Sequence, residues 1–246
     1  NDPSLFSYAP MSIDQSALLE SISVIADVEL KSPTAVIPTP TSKLTAGYVF
    51  RTLKHLGVTH VAIQVPWFTP SVVSALDMGL TIVPIYATND DGVCNALSEF
   101  SSQYGDRGVF WHNPTNPVSR ELSDFSAKRV VNDFQQTGTY LVGDCAYWDC
   151  GPLSGESKKG LLNTCFSSHH SKLNTLWLLS ASKGAIRIAG ARAGFALSQN
   201  ESLLNALSNT ITRAQSFPSK LNTQLAINSL HYASSYTGLS NIHRDL

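Results

Sequence analysis

Four polar segments of this sequence carry side chains suited to chemistry, and each follows a short apolar run. Together they contain an amide, a carboxylate, a phenol, hydroxyls, an amine and aromatic rings. Ligands of open α/β sheets bind beyond the carboxyl ends of the strands, so segments in this position indicate a small-molecule site. The segments are residues 66–68, 112–117, 143–147 and 180–184, after the apolar runs 60–65, 108–111, 139–142 and 175–179.

Each of these residues, taken singly, also has a plain structural explanation. An aspartate that follows a strand, such as Asp144, commonly caps a helix or lies in a turn. Asn-Pro pairs form turns, and a lysine in a serine-rich segment, such as Lys183, is usually a solvated surface residue. Their order along the chain and their shared position at strand ends favour one functional site over four unrelated turns.

The elements that must position these segments alternate between strand-like and helical periods. Further strand-like runs lie at residues 32–40, 81–86 and 194–197. A first helix has Leu18, Leu19, Ile22, Ile25 and Ala26 on one face, with Asp14 or Ser16 as its cap. Later helical stretches cover residues 44–56, 71–78, 95–104, 123–136, 201–215 and 218–232. This alternation predicts an α/β fold with a mostly parallel sheet covered by helices.

Composition excludes several classes of function. The chain has 246 residues with 17 Lys+Arg against 18 Asp+Glu, so it has no basic surface for nucleic acid or an anionic membrane. No apolar run approaches the roughly 20 residues of a membrane span. Charged residues make up 14% of the chain, below the roughly 25% of a typical soluble domain, which suggests that a partner covers part of the surface.

Cysteine and histidine spacing favours neither a metal site nor a disulfide framework. There are no Cys-x-x-Cys pairs or His-Glu-x-x-His motifs, and the seven histidines are scattered. We therefore expect no metal, and free thiols in a reducing compartment, which favours the cytoplasm. The four cysteines are Cys94, Cys145, Cys150 and Cys165.

Three motifs in a fixed order resemble the fold-type I pyridoxal-phosphate enzymes, and most closely the class I/II aminotransferases. The resemblance spans about residues 39–224 and implies the large-domain fold of that family, pyridoxal phosphate as cofactor, and transamination between an amino acid and a keto acid. The motifs are Asn113-Pro114-Thr115-Asn116-Pro117, then Asp144-x-Ala146-Tyr147, then Ser180-x-Ser182-Lys183 leading to Gly190-x-Arg192-x-Gly194.

The resemblance assigns roles around the cofactor ring. Lys183 forms the Schiff base and then acts as the proton shuttle. Asp144 pairs with the pyridine nitrogen and keeps it protonated. Asn116 and Tyr147 donate hydrogen bonds to the phenolic oxygen. Phe68 stacks on the ring, and its neighbour Trp67 takes that place if the match shifts by one residue.

The same resemblance implies a phosphate site, from which this sequence departs in two places. The segment before the first long helix, residues 40–44, lacks the usual glycine, and the interval from Lys183 to Arg192 is one residue longer than in the family. Arg187 lies inside that interval and can share the phosphate. The phosphate residues implied are Ser42, Lys43, Ser180 and Arg192, with Ser182 as a further hydroxyl.

Alternatives remain open at this level. Other fold-type I reactions, catalysed by lyases, decarboxylases or condensing enzymes, use nearly the same cofactor residues, and a non-catalytic aminotransferase-like module is a further reading. A nucleotide-binding domain is disfavoured because no Gly-x-Gly-x-x-Gly follows the first strand. We expect residues 1–246 to be the cofactor-binding major domain without most of the small domain and N-terminal arm, and a homodimer in the family's manner. If this chain alone is active, Arg187 or Arg213 holds the substrate carboxylate.

Overall fold

A computed structural model describes residues 13–26, 28–30, 32–114, 116–117, 121–147, 160–167, 173–183 and 186–235. Its strands are β1 (Ala35–Thr39), β2 (His60–Gln64), β3 (Thr81–Ile85), β4 (Gly108–His112), β5 (Tyr140–Cys145), β6 (Thr175–Ser180) and β7 (Gly194–Ser198). Its helices are α1 (Gln15–Ala26), α2 (Ser42–His55), α3 (Thr69–Asp77), α4 (Asp90–Tyr104), α5 (Asp124–Thr137), α6 (Gly160–Ser167), α7 (Glu201–Gln215) and α8 (Lys220–Ser235).

The strands form one sheet in the order β1-β7-β6-β5-β4-β2-β3. The strands from β2 to β6 pair in parallel, whereas β7 is antiparallel to both of its neighbours, β6 and β1. The prediction of an α/β fold with a mostly parallel sheet is therefore confirmed. Because β7 runs the opposite way, its first residue lies at the same edge as the last residues of the other six strands.

Helices cover both faces of the sheet and bury a separate apolar layer on each. The layer under α2, α3 and α7 includes Phe50, Trp111 and Leu207. The layer under α1, α4, α5, α6 and α8 includes Phe134 and Trp177. Alternate residues of each strand contribute to opposite layers, as the pleat of a β-strand requires. The carboxyl edge is thus held by a sheet that is packed from both sides.

Most helix boundaries follow the sequence signals, but α4 begins at Asp90, five residues before the predicted start, because the Asn89 side chain caps it. Asp14 caps α1, since its Oδ1 accepts a hydrogen bond from the Ala17 N–H at 3.0 Å. Helix α2 begins at Ser42, two residues earlier than predicted, because the buried Thr41 is its cap. Helix α6 was not predicted, since it has only eight residues and little polar periodicity.

Three predicted loops are in fact strand ends. His112, residues 143–145 and Ser180 belong to β4, β5 and β6, because they continue the pairing between neighbouring strands. Gly143, Asp144 and Cys145 pair with Trp177, Leu178 and Leu179, respectively. The candidate carboxylate is consequently part of the sheet and has the rigidity of a paired strand.

The three described cysteines are free thiols, as the sequence predicts. Cys94, Cys145 and Cys165 are free and buried, and Cys150 lies outside the described residues. Burial raises the pKa of all three described thiols. Among the described residues, the helices are too short or too polar for any of them to cross a membrane.

Candidate active site

The sheet brings all of the predicted site residues to its carboxyl edge. They follow the order of the strands in space, with the phosphate candidates at the β1 side and the aromatic candidate at the β2 side. From one side to the other these are Ser42 and Lys43 after β1, Arg192 before β7, Ser180 and Lys183 at β6, Asp144 and Tyr147 at β5, Asn116 after β4, and Phe68 after β2.

Asp144 is a buried carboxylate with an unused acceptor. Its side chain is 3% exposed, and its Oδ1 has no hydrogen-bond partner among the residues that the structure describes. Burial raises the pKa of Asp144 to about 6, although a hydrogen bond from the Ala146 backbone N–H opposes this shift. A buried carboxylate in this state is stabilised by any cation or N–H donor that reaches it.

Gly143 lets β5 pack closely against β6 just before Asp144. A methyl group at Gly143 would overlap the six-membered ring of Trp177, which lies on the neighbouring strand β6. The buried indole therefore fills the space beside the glycine. Glycine at position 143 and tryptophan at position 177 form a complementary pair that fixes the end of β5.

Lys183 and Tyr147 come together where β6 and β5 end. The Lys183 Nζ lies 5.7 Å from the centroid of the Tyr147 ring, within the range of a cation–π contact. Lys183 is exposed, and Tyr147 is half-buried. The amine therefore lies exposed at the edge of the sheet, over the Tyr147 ring and beside the strand that carries Asp144.

The phosphate candidates at β1 lie on a helix N-terminus instead of a glycine loop. Ser42 and Lys43 are the first two residues of α2, and the Thr41 Oγ1 accepts from the Leu44 N–H at 3.4 Å. The first N–H groups of a helix lack intrahelical acceptors and attract anions. The first turn of α2 thus supplies the backbone donors that a glycine-rich loop usually provides.

Gly194 draws this helix start towards β6. Gly194 pairs with Thr39 of β1 on one side and with Ser180 of β6 on the other. A Cβ atom at Gly194 would lie 2.6 Å from the Leu179 carbonyl oxygen and 2.9 Å from the Pro40 carbonyl oxygen. Only glycine permits this approach, which places Ser180 near the entry to α2.

Two arginines follow Lys183 in a tightly turned segment. The Arg187 N–H donates to the Lys183 carbonyl oxygen at 3.3 Å, so Arg187 is tied to the lysine through its backbone. Arg187 and Arg192 both have positive φ angles, 48° and 52°, and both are exposed. Arg213, in contrast, lines a shallow cavity with His55 between α2 and α7. Of the two candidates for a substrate carboxylate, Arg187 is the one placed beside Lys183.

A cavity of about 210 Å³ lies beyond β2, β3 and β4 and contains the predicted aromatic and amide groups. Phe68 and Asn116 both line it, as does Trp67. The other predicted site residues do not line it. The remaining lining residues are Ile63, Gln64, Val65, Pro66, Ala87, Thr88, Trp111 and Asn113. Trp111 was missed in the sequence because it reads as a core residue of β4, and Thr88 was missed because no family motif marks the segment after β3.

His112 supports the end of β4 from the other face. Its Nε2 lies 3.3 Å from the Glu121 Oε2, and its ring packs edge-on against Trp177 at 6.4 Å between centroids. His112 is buried. Within the described part of the chain, no group of three His, Cys, Asp or Glu side chains is arranged to hold a metal ion.

This chain is similar in fold to solved structures of aminotransferases and of cystalysin. An aminotransferase from Staphylococcus aureus matches with a TM-score of 0.76 and 20% identity, over 100% of this chain and 64% of that chain. The aromatic-amino-acid aminotransferase from Burkholderia pseudomallei, covalently bound to pyridoxal phosphate, matches with a TM-score of 0.72 and 21% identity, over 97% and 64%. This chain has the aminotransferase fold.

The aminotransferase fold extends to a third structure, cystalysin from Treponema denticola, which contains a pyridoxal 5'-phosphate cofactor. It matches with a TM-score of 0.71 and 16% identity, over 97% of this chain and 62% of that chain. The chain thus spans less than two thirds of the length of each of these three structures. No protein-family model and no curated protein matches the sequence. The resemblance noted in the sequence is confirmed as a likeness of fold.

Proposed function

We propose that this chain binds pyridoxal phosphate at the carboxyl edge of its sheet and transfers amino groups between an amino acid and a keto acid. The observation that carries the proposal is the buried carboxylate of Asp144, whose Oδ1 has no partner among the described residues. It lies on the strand next to the one that Lys183 follows. A structural aspartate has no need for a deeply buried, unpaired oxygen, whereas a protonated pyridine nitrogen requires one.

The residues present fit the cofactor in chemical type. When bound, pyridoxal phosphate supplies an aldehyde that captures amines and a ring that accepts electrons. Asp144 would accept a hydrogen bond from the pyridine N–H and balance its charge. Asn116 and Tyr147 would donate hydrogen bonds to the phenolic oxygen, and Phe68 would provide an apolar face for the ring.

Lys183 is the base that this chain offers to the substrate. Its Nζ is exposed beside the Tyr147 ring, where it can take a proton from the substrate Cα and return one. Arg187 is held beside Lys183 by its backbone hydrogen bond and supplies a cation for an anionic group of the substrate. Lys183 would therefore contribute a positioned amine, and Arg187 would contribute a positive charge.

The phosphate is proposed to bind between α2 and β7. The first turn of α2 offers backbone N–H groups and the Ser42 hydroxyl, and the side chains of Lys43 and Arg192 are exposed nearby. Ser180 is buried at the end of β6 and accepts from the Ser182 N–H at 3.1 Å. Ser180 therefore shapes the turn that precedes Lys183 as well as facing this region.

Other reactions of the same cofactor remain the second candidate, because Lys183, Asp144 and Tyr147 would serve a lyase or decarboxylase equally well.

We further propose that the protein works as a homodimer in the cytoplasm, which the low charged fraction and the buried free thiols support. Light scattering of the purified protein measures its molar mass and so tests whether it is a homodimer.

The decisive experiment is covalent labelling of the lysine. The protein is mixed with pyridoxal phosphate, reduced with borohydride, digested and mapped by mass spectrometry. We expect a visible absorption band that reduction abolishes, and a label on the Lys183 peptide. Lys183→Ala should lose the label, whereas Lys128→Ala, an exposed lysine of α5, should keep it. A label distributed over surface lysines would contradict the proposal.

Product analysis then separates transamination from the other reactions. With an amino acid and a keto acid as the two substrates, a transaminase moves nitrogen from one to the other and releases no ammonia. Ammonia or carbon dioxide in step with substrate loss would identify a lyase or a decarboxylase instead. Both outcomes leave the cofactor assignment intact.

A further inference from the structure

His112 and Glu121 join the two ends of the segment that carries Asn116. The His112 Nε2 lies 3.3 Å from the Glu121 Oε2, nine positions further along the chain. A carboxylate only accepts hydrogen bonds, so the imidazole donates from Nε2. Between these two residues Asn116 is half-buried, and its backbone N–H donates to the Asn113 Oδ1 at 3.1 Å. The segment is therefore held at both ends and once more between them.

The His112 end of the pair is part of the sheet. His112 is 1% exposed and pairs with Gly143 of β5, which pairs in turn with Trp177 of β6. The imidazole packs edge-on against the Trp177 indole, and its Nδ1 has no hydrogen-bond partner among the described residues. A ring packed in this way offers Glu121 a partner of fixed position.

The Glu121 carboxylate is packed against the start of α6, although 22% of its side chain is exposed. A Cβ atom at Gly160, the first residue of α6, would overlap the Glu121 Oε2. Burial raises the pKa of Cys145 and Cys165, and the negative charge of Glu121 adds to both shifts. The carboxylate is thus confined between the sheet and a helix, whereas most glutamates are directed into solvent.

The pair lies on the face of the sheet opposite to Asp144. Residues two apart on a strand point to the same face. His112 shares the face of Phe110, which belongs to the layer under α5. Asp144 shares the face of Val142, which belongs to the layer under α2. An effect of the imidazole on a ligand held by Asp144 therefore passes through the segment that carries Asn116.

We propose that His112 and Glu121 are positioning residues, which hold the Asn116 side chain at the carboxyl edge of the sheet. The inference rests on the proposed function, in which Asn116 donates to the phenolic oxygen of the cofactor. The pair fixes both ends of the segment, so its loss lets Asn116 leave the position from which it donates.

The pH dependence of the visible absorption band reports on Asn116. In the complex with pyridoxal phosphate, a hydrogen bond to the phenolic oxygen stabilises its ionised form and lowers the pH midpoint of the band. Displacement of Asn116 raises the midpoint, whereas loss of a nearby negative charge alone lowers it. We expect Glu121→Ala to raise the midpoint by about half a pH unit. Glu121→Gln keeps an acceptor for the imidazole and should leave the midpoint at or below the wild-type value.

Three further variants separate positioning from charge and from general stability. His112→Leu leaves the Glu121 charge in place and should raise the midpoint as Glu121→Ala does, so it also serves if Glu121→Ala does not fold. Glu99→Ala, which removes an exposed glutamate of α4, should change nothing. The double variant Glu121→Ala/Asn116→Ala should shift the midpoint no further than Asn116→Ala alone. Additive shifts, or an unchanged or lowered midpoint in natively folded Glu121→Ala and His112→Leu, would overturn the inference.

Hydrogen exchange of the cofactor-free protein tests the positioning role independently of the proposed function. We expect exchange at the Asn116 amide to be about fivefold faster in Glu121→Ala and in His112→Leu, with no change at the Val142 amide of β5. A wild-type protein without a visible band would refute the proposed function, and exchange would still decide the positioning role. Equal exchange at Asn116 in the wild-type protein and both variants would exclude that role.

Discussion

The indole ring of Trp177 fills the space that a side chain at Gly143 would occupy on the adjacent strand. Gly143 directly precedes Asp144 in β5, so this packing helps to fix the strand that carries the carboxylate. The requirement for glycine at position 143 thus applies to the residue directly before Asp144, on which the proposed chemistry depends.

Gly143→Ala is expected to be destabilising, because the added methyl group overlaps a buried ring that is packed on all sides. We expect a loss of about 2 kcal/mol in the free energy of unfolding, measured by urea denaturation. Gly190→Ala is the matched control, since a Cβ atom at Gly190 meets nothing within 4 Å. The double variant Gly143→Ala/Trp177→Leu should recover part of the loss. Equal stability of the two single variants would show that β5 and β6 are less closely packed than described.

Asp144 should make the cofactor-free protein less stable as the pH rises. Its folded-state pKa of about 6 lies above the value of an unfolded aspartate, so the folded protein binds more protons between these two values. Stability therefore falls from about pH 4 to pH 7, by an amount on the order of 3 kcal/mol. Asp144→Asn should abolish that part of the pH dependence in thermal unfolding curves.

Pyridoxal phosphate should reduce the same pH dependence, because a protonated ring nitrogen stabilises the ionised carboxylate. The comparison is between unfolding curves of the wild-type protein with and without the cofactor at each pH. A cofactor effect of equal size in Asp144→Asn would assign the stabilisation to the phosphate contacts alone.

Tyr147 presents two separable features, the face of its ring and its hydroxyl group. Tyr147→Phe keeps the ring beside the Lys183 Nζ and removes only the hydroxyl proposed to bind the phenolic oxygen, so at saturating pyridoxal phosphate it should retain the extent of borohydride-trapped label. Tyr147→Ala removes the ring as well, and we expect about threefold less label under the same conditions. A loss of the same size in both variants would indicate that the hydroxyl group, not the ring, positions the lysine. Mass spectrometry of the Lys183 peptide measures both.

Gln15 closes the free edge of the sheet at β1. Its Nε2 donates to the Val36 carbonyl oxygen at 2.7 Å, and its Oε1 accepts from the Val36 N–H at 3.0 Å. Gln15→Ala should cost about 1–2 kcal/mol and speed hydrogen exchange at the Val36 amide. Gln136→Ala, which removes an exposed glutamine of α5, serves as the control. Unchanged exchange at Val36 would show that another group covers this edge.

Part of the site was predictable because its residues are marked by local patterns. Lys183, Asp144, Tyr147 and Asn116 follow apolar runs, and the edge of a parallel sheet collects the residues at strand ends. The structure places each of them there. Their roles toward the cofactor stay predictions that the experiments above address. The expectation that this chain is mainly a cofactor-binding domain also stays a prediction.

Other parts of the site were not predictable from local patterns. Trp111 looks like any core residue in the sequence, and only its unpartnered Nε1 distinguishes it. Ser42 and Lys43 were predicted as a loop without glycine, yet Thr41 starts the helix early enough to give them helical N–H groups. Arg187 and Arg213 were equal candidates in the sequence for holding the substrate carboxylate. The backbone hydrogen bond from Arg187 to Lys183 favours Arg187.

The sequence by itself determined the α/β class and the described strands and helices other than α6, because hydrophobic period and capping residues report which face of each local segment is buried. It also determined the types of group available at the carboxyl edge. The tertiary structure alone decided that β7 runs antiparallel, that Gly143 faces Trp177, and that Asp144 is buried. These features depend on atoms from segments far apart in the chain. Strand order and desolvation arise only when such segments meet, so no local pattern encodes them.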